Sequence, residues 1–493
     1  MLERRVLLLA LAPVVTDGHG LLVHVGCVLD GEVRAAGAEV SFLRGPVRLQ
    51  AGARLDRASW VEKPRINDVL QNTFIKVFDN INDIETLKKN RIKIEPILQE
   101  VKKFYKKRKI ILYGGTAINN ILPYDDQFYD KSLEIPDYDF YSTTPVEDAK
   151  ELADIYHENG FLEIEAKAGV HHGTYKVFVN FIPIADITYL HPILFKSISK
   201  EAISVAGILY APPNFLRMNM FIELSRPSGD VSRWEKILKR LTLLNKHHPM
   251  KIKDCSKIDF QRKMESYTDY SQNLYLVLRE IFVNQDVVFL GGYATRMYGK
   301  YSGDVNSIVK KVPDFDVISE DPERTAMIII ERLRSMGFKK ATIVKHEAIG
   351  EVIPAAVEVR IAGKETLAFI YHPIACHSYN EVKINDLSIK VATIDTMLNF
   401  YLAFYYSNKP YHVSSRLLCM ANFLFQVENR NRLEQKGPLK RFSIDCYGTQ
   451  PTMESIRSEK IEKFKELKEK RGTKEYDEWF LKYGYSSGEL IGE

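Results

Sequence analysis

The sequence has no apolar run of the roughly 18 residues that a membrane-spanning helix requires. Its five cysteines form no C-x-x-C pair, and no G-x-x-x-x-G-K-[ST] loop occurs. These absences argue against a transmembrane segment, a zinc or dithiol site, and an ATPase of the P-loop kind. The cysteines are therefore expected to be reduced thiols in a cytosol-like compartment, and no membrane partner is predicted.

The first 62 residues lack Lys, Ile, Asn and Tyr, which are all common in the remainder of the chain. Arg4 and Arg5 precede an apolar stretch, as they would in a signal peptide. The change in composition favours an appended or wrongly translated segment, and a targeting peptide is the alternative. The fold itself is expected to begin near Lys63.

The composition of the whole chain is that of a globular protein. With 493 residues, 45% of them hydrophobic and 27% charged, the chain is long enough for two or three domains. The formal net charge of +5 permits nucleic-acid binding without demonstrating it, so local basic patches must carry that argument.

One sequence unit occurs twice, with an offset of 177 residues between Gly114 and Gly291. The offset holds without a gap for nearly fifty residues. The matching pairs are Gly114/Gly291, Gly115/Gly292, Ala117/Ala294, Pro136/Pro313, Asp137/Asp314, Asp139/Asp316, Pro145/Pro322, Gly160/Gly337 and Phe161/Phe338. The repeat predicts two copies of one α+β unit, each a small mixed sheet covered by helices.

A helix is predicted directly after the strand that carries the Asp-x-Asp pair in each copy. In the first copy Thr144, Pro145 and Glu147 supply an N-cap, an N1 proline and a capping-box acid, and Gly160 ends the helix. The second copy offers the corresponding cap and stop at Asp321 and Gly337.

Gly114 and Gly115 end an apolar strand and open a helix, where backbone amides can face phosphate oxygens. Thr116 adds a hydroxyl to this turn. A lone Gly-Gly is a weak signal, because most such pairs are only tight turns. Its value depends on acidic residues lying nearby.

Asp137 and Asp139 are one residue apart in an apolar stretch that reads as a strand, so both side chains are expected on the same face. Two adjacent carboxylates repel unless a cation lies between them, and hard oxygen ligands suit Mg²⁺, with Mn²⁺ as an alternative. Asp186 interrupts another apolar run and has no basic residue close in sequence. It is predicted to be the third metal ligand, contributed by a neighbouring strand.

These residues resemble the signature of the DNA polymerase β-like nucleotidyltransferase superfamily. The form L-Y-G-G-x-A-I, a long loop and then P-D-Y-D-F-Y-S resembles the poly(A) polymerase catalytic subunits of large DNA viruses, closely over residues 94–249. The resemblance implies addition of adenylates from ATP to RNA 3′ ends by two-metal in-line transfer. Asp137 and Asp139 would bridge both ions, and Asp186 would hold the ion that activates the 3′-hydroxyl.

The resemblance also extends to residues 214–249, which are predicted to touch triphosphate, ribose or RNA. The candidate nucleotide-binding residues there are Arg217, Ser225, Arg226, Arg233 and Lys236. An amphipathic helix with a charged surface would explain the same pattern. In this family processivity comes from a homodimer or from a separate subunit, and the sequence does not choose between them. The implied location is the cytoplasm, with packaging in the virion as a further expectation.

The expected organisation has four parts. Residues 1–62 are unrelated or appended, 63–250 form the catalytic domain, 255–440 form a degenerate nucleotidyltransferase-like domain, and 441–493 form a charged helical tail. The second copy keeps Asp314 and Asp316 but places Phe369 where the first has Asp186. Glu358 is a weak substitute, since Arg360 offers it a salt-bridge partner. The second copy is therefore expected to be inactive.

Two charged segments leave their roles open. Residues 102–109 mix basic and aromatic side chains, which suits either an RNA backbone or a solvated helix end. The segment 454–471 reads as a packing or dimer helix. Other terminal nucleotidyltransferases (uridylyl, CCA-adding or oligoadenylate synthetase-like) share the triad, and a catalytically dead RNA-binding scaffold is the alternative from another class.

Overall fold

The structure is a computed structural model. The residues it describes are 16–17, 20–21, 27–29, 32–34, 94–130, 136, 138–252, 254–262, 269–299, 301, 314–362, 365–384, 387–431, 434 and 436–491.

The chain divides into two compact units, Met1–Asp83 and Ile84–Glu493. The described part of the first unit consists of two antiparallel strand pairs. These are β1 (Thr16–Asp17) with β2 (Gly20–Leu21), and β3 (Cys27–Leu29) with β4 (Glu32–Arg34).

The second unit contains the other described strands and the described helices. Its strands are β5 (Ile111–Leu112), β6 (Tyr138–Ser142), β7 (Ile164–Ala168), β8 (Thr174–Val179), β9 (Ile182–Tyr189), β10 (Ile203–Val205), β11 (Ile208–Tyr210), β12 (Val288–Leu290), β13 (Phe315–Ile318), β14 (Thr342–His346), β15 (Ala356–Ile361), β16 (Glu365–Tyr371), β17 (His377–Ile384), β18 (Leu387–Ala392), β19 (Cys446–Tyr447), β20 (Lys482–Ser486) and β21 (Glu489–Ile491). Its helices are α1 (94–108), α2 (Gly114–Ile121), α3 (Pro145–Glu158), α4 (Pro192–Ser199), α5 (Pro213–Leu224), α6 (Trp234–His247), α7 (Asp269–Asn284), α8 (Gly291–Gly299), α9 (Pro322–Ser335), α10 (Ile394–Tyr406), α11 (Ser414–Arg430), α12 (Met453–Leu467) and α13 (Lys474–Phe480).

Two mixed sheets organise the second unit, which confirms the predicted α+β class. The first sheet has the order β10-β11-β5-β6-β9-β8-β7-β20-β21, and the second has the order β14-β15-β16-β13-β12-β18-β17-β19. In both sheets the strand before the Gly-Gly turn (β5 or β12) pairs antiparallel with the next, acidic strand (β6 or β13). The acidic strand then pairs parallel with the strand three further along the chain (β9 or β16). The two sheets therefore share one pairing pattern over seven strands each.

The predicted capping signals mark the right helices, although one cap forms differently. Helix α3 begins at Pro145, and Gly160 follows its end with φ +85°. The Thr144 side chain makes no cap hydrogen bond, so the predicted capping box does not form there. In the second copy the Asp321 carboxylate accepts a hydrogen bond from the Arg324 amide at 2.9 Å, which is the expected N-cap.

The C-terminal residues do more than form the expected charged helical tail. Helix α12 matches the predicted Lys/Glu helix, with Ile461 and Phe464 exposed and Leu467 buried. Beyond it, β20 pairs antiparallel with β7 and extends the first sheet. Gly484 permits this pairing, because a Cβ there would overlap the Ile164 backbone.

The prediction of reduced cysteines is wrong for four of the five. Cys255 is joined to Cys419 and Cys376 to Cys446 by disulfides. The partners are 164 and 70 residues apart in sequence. Spacing rules look for pairs that are close in sequence, so they miss cross-links made by the tertiary fold.

The two sheets are joined through a common helical core. Helices α5 and α10 pack against each other, and Phe215 meets Tyr406 edge to face with ring centroids 5.2 Å apart. Helix α5 follows β11 and helix α10 follows β18, and these two strands hold corresponding positions in the two strand orders.

Candidate active site

The Gly-Gly turn lies at the end of β5, where helix α2 begins. Gly114 has φ +73°, and a Cβ at this position would overlap the Asp139 carboxylate. The Tyr113 amide donates to the Asp139 carbonyl oxygen at 2.9 Å. Glycine is therefore required here by both conformation and space, and it brings the first amides of α2 up to an acidic side chain.

Asp139 and Asp186 are direct partners across the parallel pair β6 and β9. The neighbours of Asp139 on β6, Tyr138 and Phe140, are buried. The expectation that Asp186 comes from a strand adjacent to Asp139 is thus met by the sheet register. Asp137 lies outside the described residues, so its predicted position beside Asp139 stays a prediction.

Lys176 corrects one step of the sequence argument for Asp186. Its Nζ forms an ion pair with Asp186 Oδ2, and the two residues are register partners across β8 and β9. A metal is therefore not needed to account for the charge of Asp186. The sequence hid this partner because cross-strand neighbours are ten residues apart in the chain.

A stacked pair of tyrosines lies near Asp139 and Asp186. Tyr113 and Tyr141 stack with ring centroids 3.8 Å apart, and the Tyr113 hydroxyl lies 2.9 Å from Thr188 Oγ1. Burial, helped by Tyr141 and Asp139, raises the pKa of Tyr113 well above its ordinary value. The phenol is therefore a neutral hydrogen-bonding group at physiological pH.

Arg240 is a candidate residue that the sequence argument missed. Its Nη2 donates to the Tyr129 hydroxyl at 2.6 Å, and its guanidinium lies 5.0 Å from the Phe128 ring centroid. A Cβ added to Gly115 would lie 2.9 Å from the same Nη2. A cation thus covers the second glycine of the turn. Its immediate sequence carried no signal for this position, because the contact is made through the tertiary fold.

Two of the predicted nucleotide-binding residues lie in the core. Arg217 is fully buried, with Nε donating to Asn245 Oδ1 at 2.6 Å and its other groups bonded to Asn214 and the His248 carbonyl. Ser225 is also buried and donates to the Ile222 carbonyl oxygen at 3.1 Å. These contacts use the donors internally, which corrects the prediction that the pair contacts a nucleotide.

The remaining predicted residues differ in their surroundings. Burial lowers the pKa of Arg226 to about 10, against the influence of Glu351 and Glu223. Arg233 is exposed and lies 3.3 Å from Glu223 in an ion pair. Lys236 is exposed on α6 one turn before Arg240, and Thr116 is buried in α2. Of this group, Lys236 shares the helix face that carries Arg240.

The basic segment 102–109 is the end of α1 and does not offer its aromatic rings to a ligand. Phe104 and Tyr105 are buried, so they cannot stack on bases. Lys103 is 2.6 Å from Glu100, and Arg108 bridges to Asp148. The structure therefore favours the interpretation as a helix end packed on the first sheet.

The equivalent position in the second sheet differs in charge. Asp316 is the register partner of Phe369, as the sequence alignment predicted, and Phe369 in turn faces Glu358. Glu358 is buried and receives hydrogen bonds from Arg360 Nε at 2.7 Å and from Thr366. The acid is thus committed to these partners, with an aromatic ring separating it from Asp316.

Among the described residues, no group of three or more His, Cys, Asp or Glu side chains is arranged to hold a metal ion. Asp137, the third member of the predicted set, is outside that part of the chain. In the described part of the chain, Asp139 and Asp186 supply paired hard oxygen donors beside a glycine, which fits a divalent cation.

Among the described helices, none combines the length and the hydrophobicity that a membrane-spanning segment needs.

Comparisons with known proteins point to one family. Residues 99–230 match the family model described as poly(A) polymerase catalytic subunit. A chain from African swine fever virus named "Putative poly(A) polymerase catalytic subunit" is 34% identical over 169 residues, which cover 33% of this chain and 35% of that one. An Acanthamoeba polyphaga mimivirus chain of the same name is 26% identical over 280 residues, covering 52% and 46%. The chain thus matches between a third and a half of the length of these relatives.

The crystal structure of the Megavirus polyadenylate synthase shares the fold. It superposes with a TM-score of 0.70 and 21% identity, covering 84% of this chain and 86% of that one. Together these matches confirm the resemblance to the poly(A) polymerase catalytic subunits of large DNA viruses. The residues matched by the family model include Asp139, Asp186 and the Gly-Gly turn.

Proposed function

We propose that this protein adds adenylates from ATP to RNA 3′ ends, as a poly(A) polymerase. The observation that carries the proposal is the meeting of Asp139 and Asp186 on adjacent parallel strands, with Gly114 against the Asp139 carboxylate. The family match over residues 99–230 supports the same reaction.

In this proposal Asp139 and Asp186, together with Asp137, hold divalent cations, Mg²⁺ or Mn²⁺. Such ions, when bound, lower the pKa of an attacking hydroxyl and neutralise charge on a transferring phosphoryl group. Lys176 balances the charge of Asp186 before ions enter. Since an ammonium competes with a metal for the same carboxylate, Lys176 also sets how readily Asp186 becomes a ligand.

The triphosphate is proposed to lie over the Gly-Gly turn. The first amides of α2 face phosphate oxygens there, and Arg240 approaches from α6 with Lys236 one turn earlier. Tyr129 holds the Arg240 guanidinium by a 2.6 Å hydrogen bond, so the cation is oriented before a ligand arrives. Arg233 and Arg226 remain candidates for ribose or RNA contacts.

The second sheet is proposed to belong to a degenerate copy of the same domain, within residues 255–440, after a catalytic domain at 63–250. The shared strand order supports this division, and Phe369 opposite Asp316 supports an inactive site. Its proposed role is to form part of the wall along which RNA lies.

The test is extension of a 5′-labelled RNA primer by the purified chain with Mg²⁺ and each nucleoside triphosphate supplied separately. Extension by ATP alone is the expected result. Extension by UTP or CTP would assign the protein to another terminal nucleotidyltransferase, and primer-independent oligomers of adenylate would indicate an oligoadenylate synthetase. No extension with any triphosphate, while RNA is still bound, would favour the RNA-binding scaffold.

A further inference from the structure

The pair Asp314 and Asp316 in the second copy already has a cationic partner. Arg262 forms ion pairs with both carboxylates, through Nη2 to Asp314 and through Nη1 to Asp316 Oδ1 at 3.1 Å. The Arg262 amide also donates to Asp314 Oδ2 at 2.7 Å. One residue thus meets the two aspartates with both its side chain and its backbone.

The guanidinium occupies the centre of the second copy's acidic site. It lies 4.8 Å from the centroid of the Phe369 ring, which stands where the first copy has Asp186. Gly291, like Gly114, approaches the second aspartate closely, and a Cβ there would lie 2.8 Å from Asp316 Cγ. The cradle of glycine and carboxylates is therefore retained, with an arginine inside it.

The burial and charges of these three side chains favour a guanidinium that stays charged and bound between the two aspartates. Asp314 and Asp316 side chains are 3% and 14% exposed, and that of Arg262 is 15% exposed. Burial opposes the charge of Arg262, but Asp314 and Asp316 outweigh it and raise its pKa. Two buried carboxylates would repel each other strongly without this positive charge.

The segment that carries Arg262 is fixed to helix α11. Cys255 is joined to Cys419 on α11, and Phe260 meets Phe423 of the same helix with ring centroids 5.7 Å apart. The described residues 254–262 therefore form a strap that delivers Arg262 to the aspartates.

We propose that Arg262 takes the place of the divalent cations in the second copy, so that this site is closed to metal by a resident guanidinium. The aspartates persist there because they bind the arginine. The proposal rests on the proposed function in one respect, which is that the matching carboxylates of the first copy bind metal. Loss of Arg262 is then expected to expose a divalent-cation site of Asp314 and Asp316.

The test counts Mn²⁺ ions bound to the full chain by electron paramagnetic resonance. The parent for this experiment is the double variant Asp139→Ala and Asp186→Ala, in which metal binding at the first site is weakened. The ion count at the second site then does not depend on whether the first site catalyses a reaction. Adding Arg262→Met should create binding of one further Mn²⁺ at millimolar concentration or below, with a rise in Tm on adding Mn²⁺. A further Asp316→Ala should abolish both effects. Arg360→Met, which removes an arginine with a single acidic partner, is the matched control and should add no ion.

Two results would overturn the proposal. One is a folded Arg262→Met variant, judged by its thermal transition, that gains no Mn²⁺. The other needs no arginine variant at all: Mn²⁺ bound to the parent and lost with Asp316→Ala would show that the second site accepts metal with Arg262 in place. The second measurement remains decisive if Arg262→Met fails to fold. Failure of primer extension would instead count against the proposed function alone.

Discussion

Replacing Gly114 by alanine tests whether the position of the Asp139 carboxylate matters for activity, as distinct from the cost of placing alanine in a left-handed backbone conformation. Gly114 has φ +73°, and its new Cβ would overlap Asp139 Oδ2 and lie 3.2 Å from Asp139 Cγ. The carboxylate must therefore move. A misplacement of roughly 1 Å at a reacting centre costs on the order of 100-fold in rate. We expect Gly114→Ala to lower kcat for primer extension by about that factor.

Two other glycines supply matched controls. Gly160 has φ +85° with open space around it, so Gly160→Ala carries only the cost of a left-handed alanine, about 1–2 kcal/mol. Gly291 has φ +66° and an even closer aspartate, with Asp316 Cβ 2.6 Å from the added carbon. Gly291→Ala should lower stability more than Gly160→Ala, yet both should keep kcat within about threefold of the parent chain.

The assay is single-turnover extension of a labelled RNA primer with ATP, alongside thermal unfolding of each variant. Equal rates for Gly114→Ala and Gly160→Ala would refute the prediction, because the position of the Asp139 carboxylate would then be irrelevant to the rate. An equal loss of activity in Gly291→Ala and Gly114→Ala, at a temperature where both are folded, would refute it as well.

Three further predictions concern other parts of the chain. Arg240→Met should raise the KM for ATP about tenfold or more while leaving RNA affinity unchanged, since a charged hydrogen bond contributes about 1.5–3 kcal/mol. Lys239→Met, which changes an exposed lysine on the same helix, is the control. Equal changes in KM for both variants would show that Arg240 does not contact the nucleotide. Thiol titration in denaturant should find one free thiol before reduction and five after it, because four of the five cysteines are paired; five thiols without reductant would contradict the disulfides. Burial lowers the pKa of His377 and His412 from 6.5 to about 3, so the unfolded chain binds more protons than the folded chain below about pH 6.5. The free energy of unfolding should therefore fall as the pH drops below about 6.5, by roughly 1.4 kcal/mol per pH unit for each histidine. His377→Phe should reduce this slope in denaturation curves at pH 7, 6 and 5, and an unchanged slope would show that His377 does not contribute.

The repeat allowed much of the fold to be predicted from the sequence. Identical residues at a fixed offset indicated two copies of one unit, and the two sheets share their strand order. Asp186 was predicted to come from a strand next to Asp139 because it interrupts an apolar run, and the two residues are register partners on adjacent strands. Both inferences depend on patterns of residue type along the chain, which a sequence displays directly.

Contacts made across strands or between distant segments were not predictable in this way. Lys176, Arg240 and Arg262 each reach a carboxylate or a glycine through tertiary packing, and nothing in their immediate sequence singles them out. Arg217 shows the opposite error. Its charge suggested a ligand contact, whereas Asn214, Asn245 and a backbone carbonyl satisfy it inside the core. Charge alone does not tell a buried cation from a binding one.

The central claim is that one of the two copies performs adenylate transfer, at Asp139 and Asp186. Its most direct test is a comparison of Asp139→Asn with Asp316→Asn in ATP-dependent primer extension, since each changes the equivalent carboxylate of one copy by a single functional group. We predict that Asp139→Asn abolishes extension and that Asp316→Asn retains it in a folded chain. Extension by Asp139→Asn at the parent rate, or its complete loss in folded Asp316→Asn, would contradict the account.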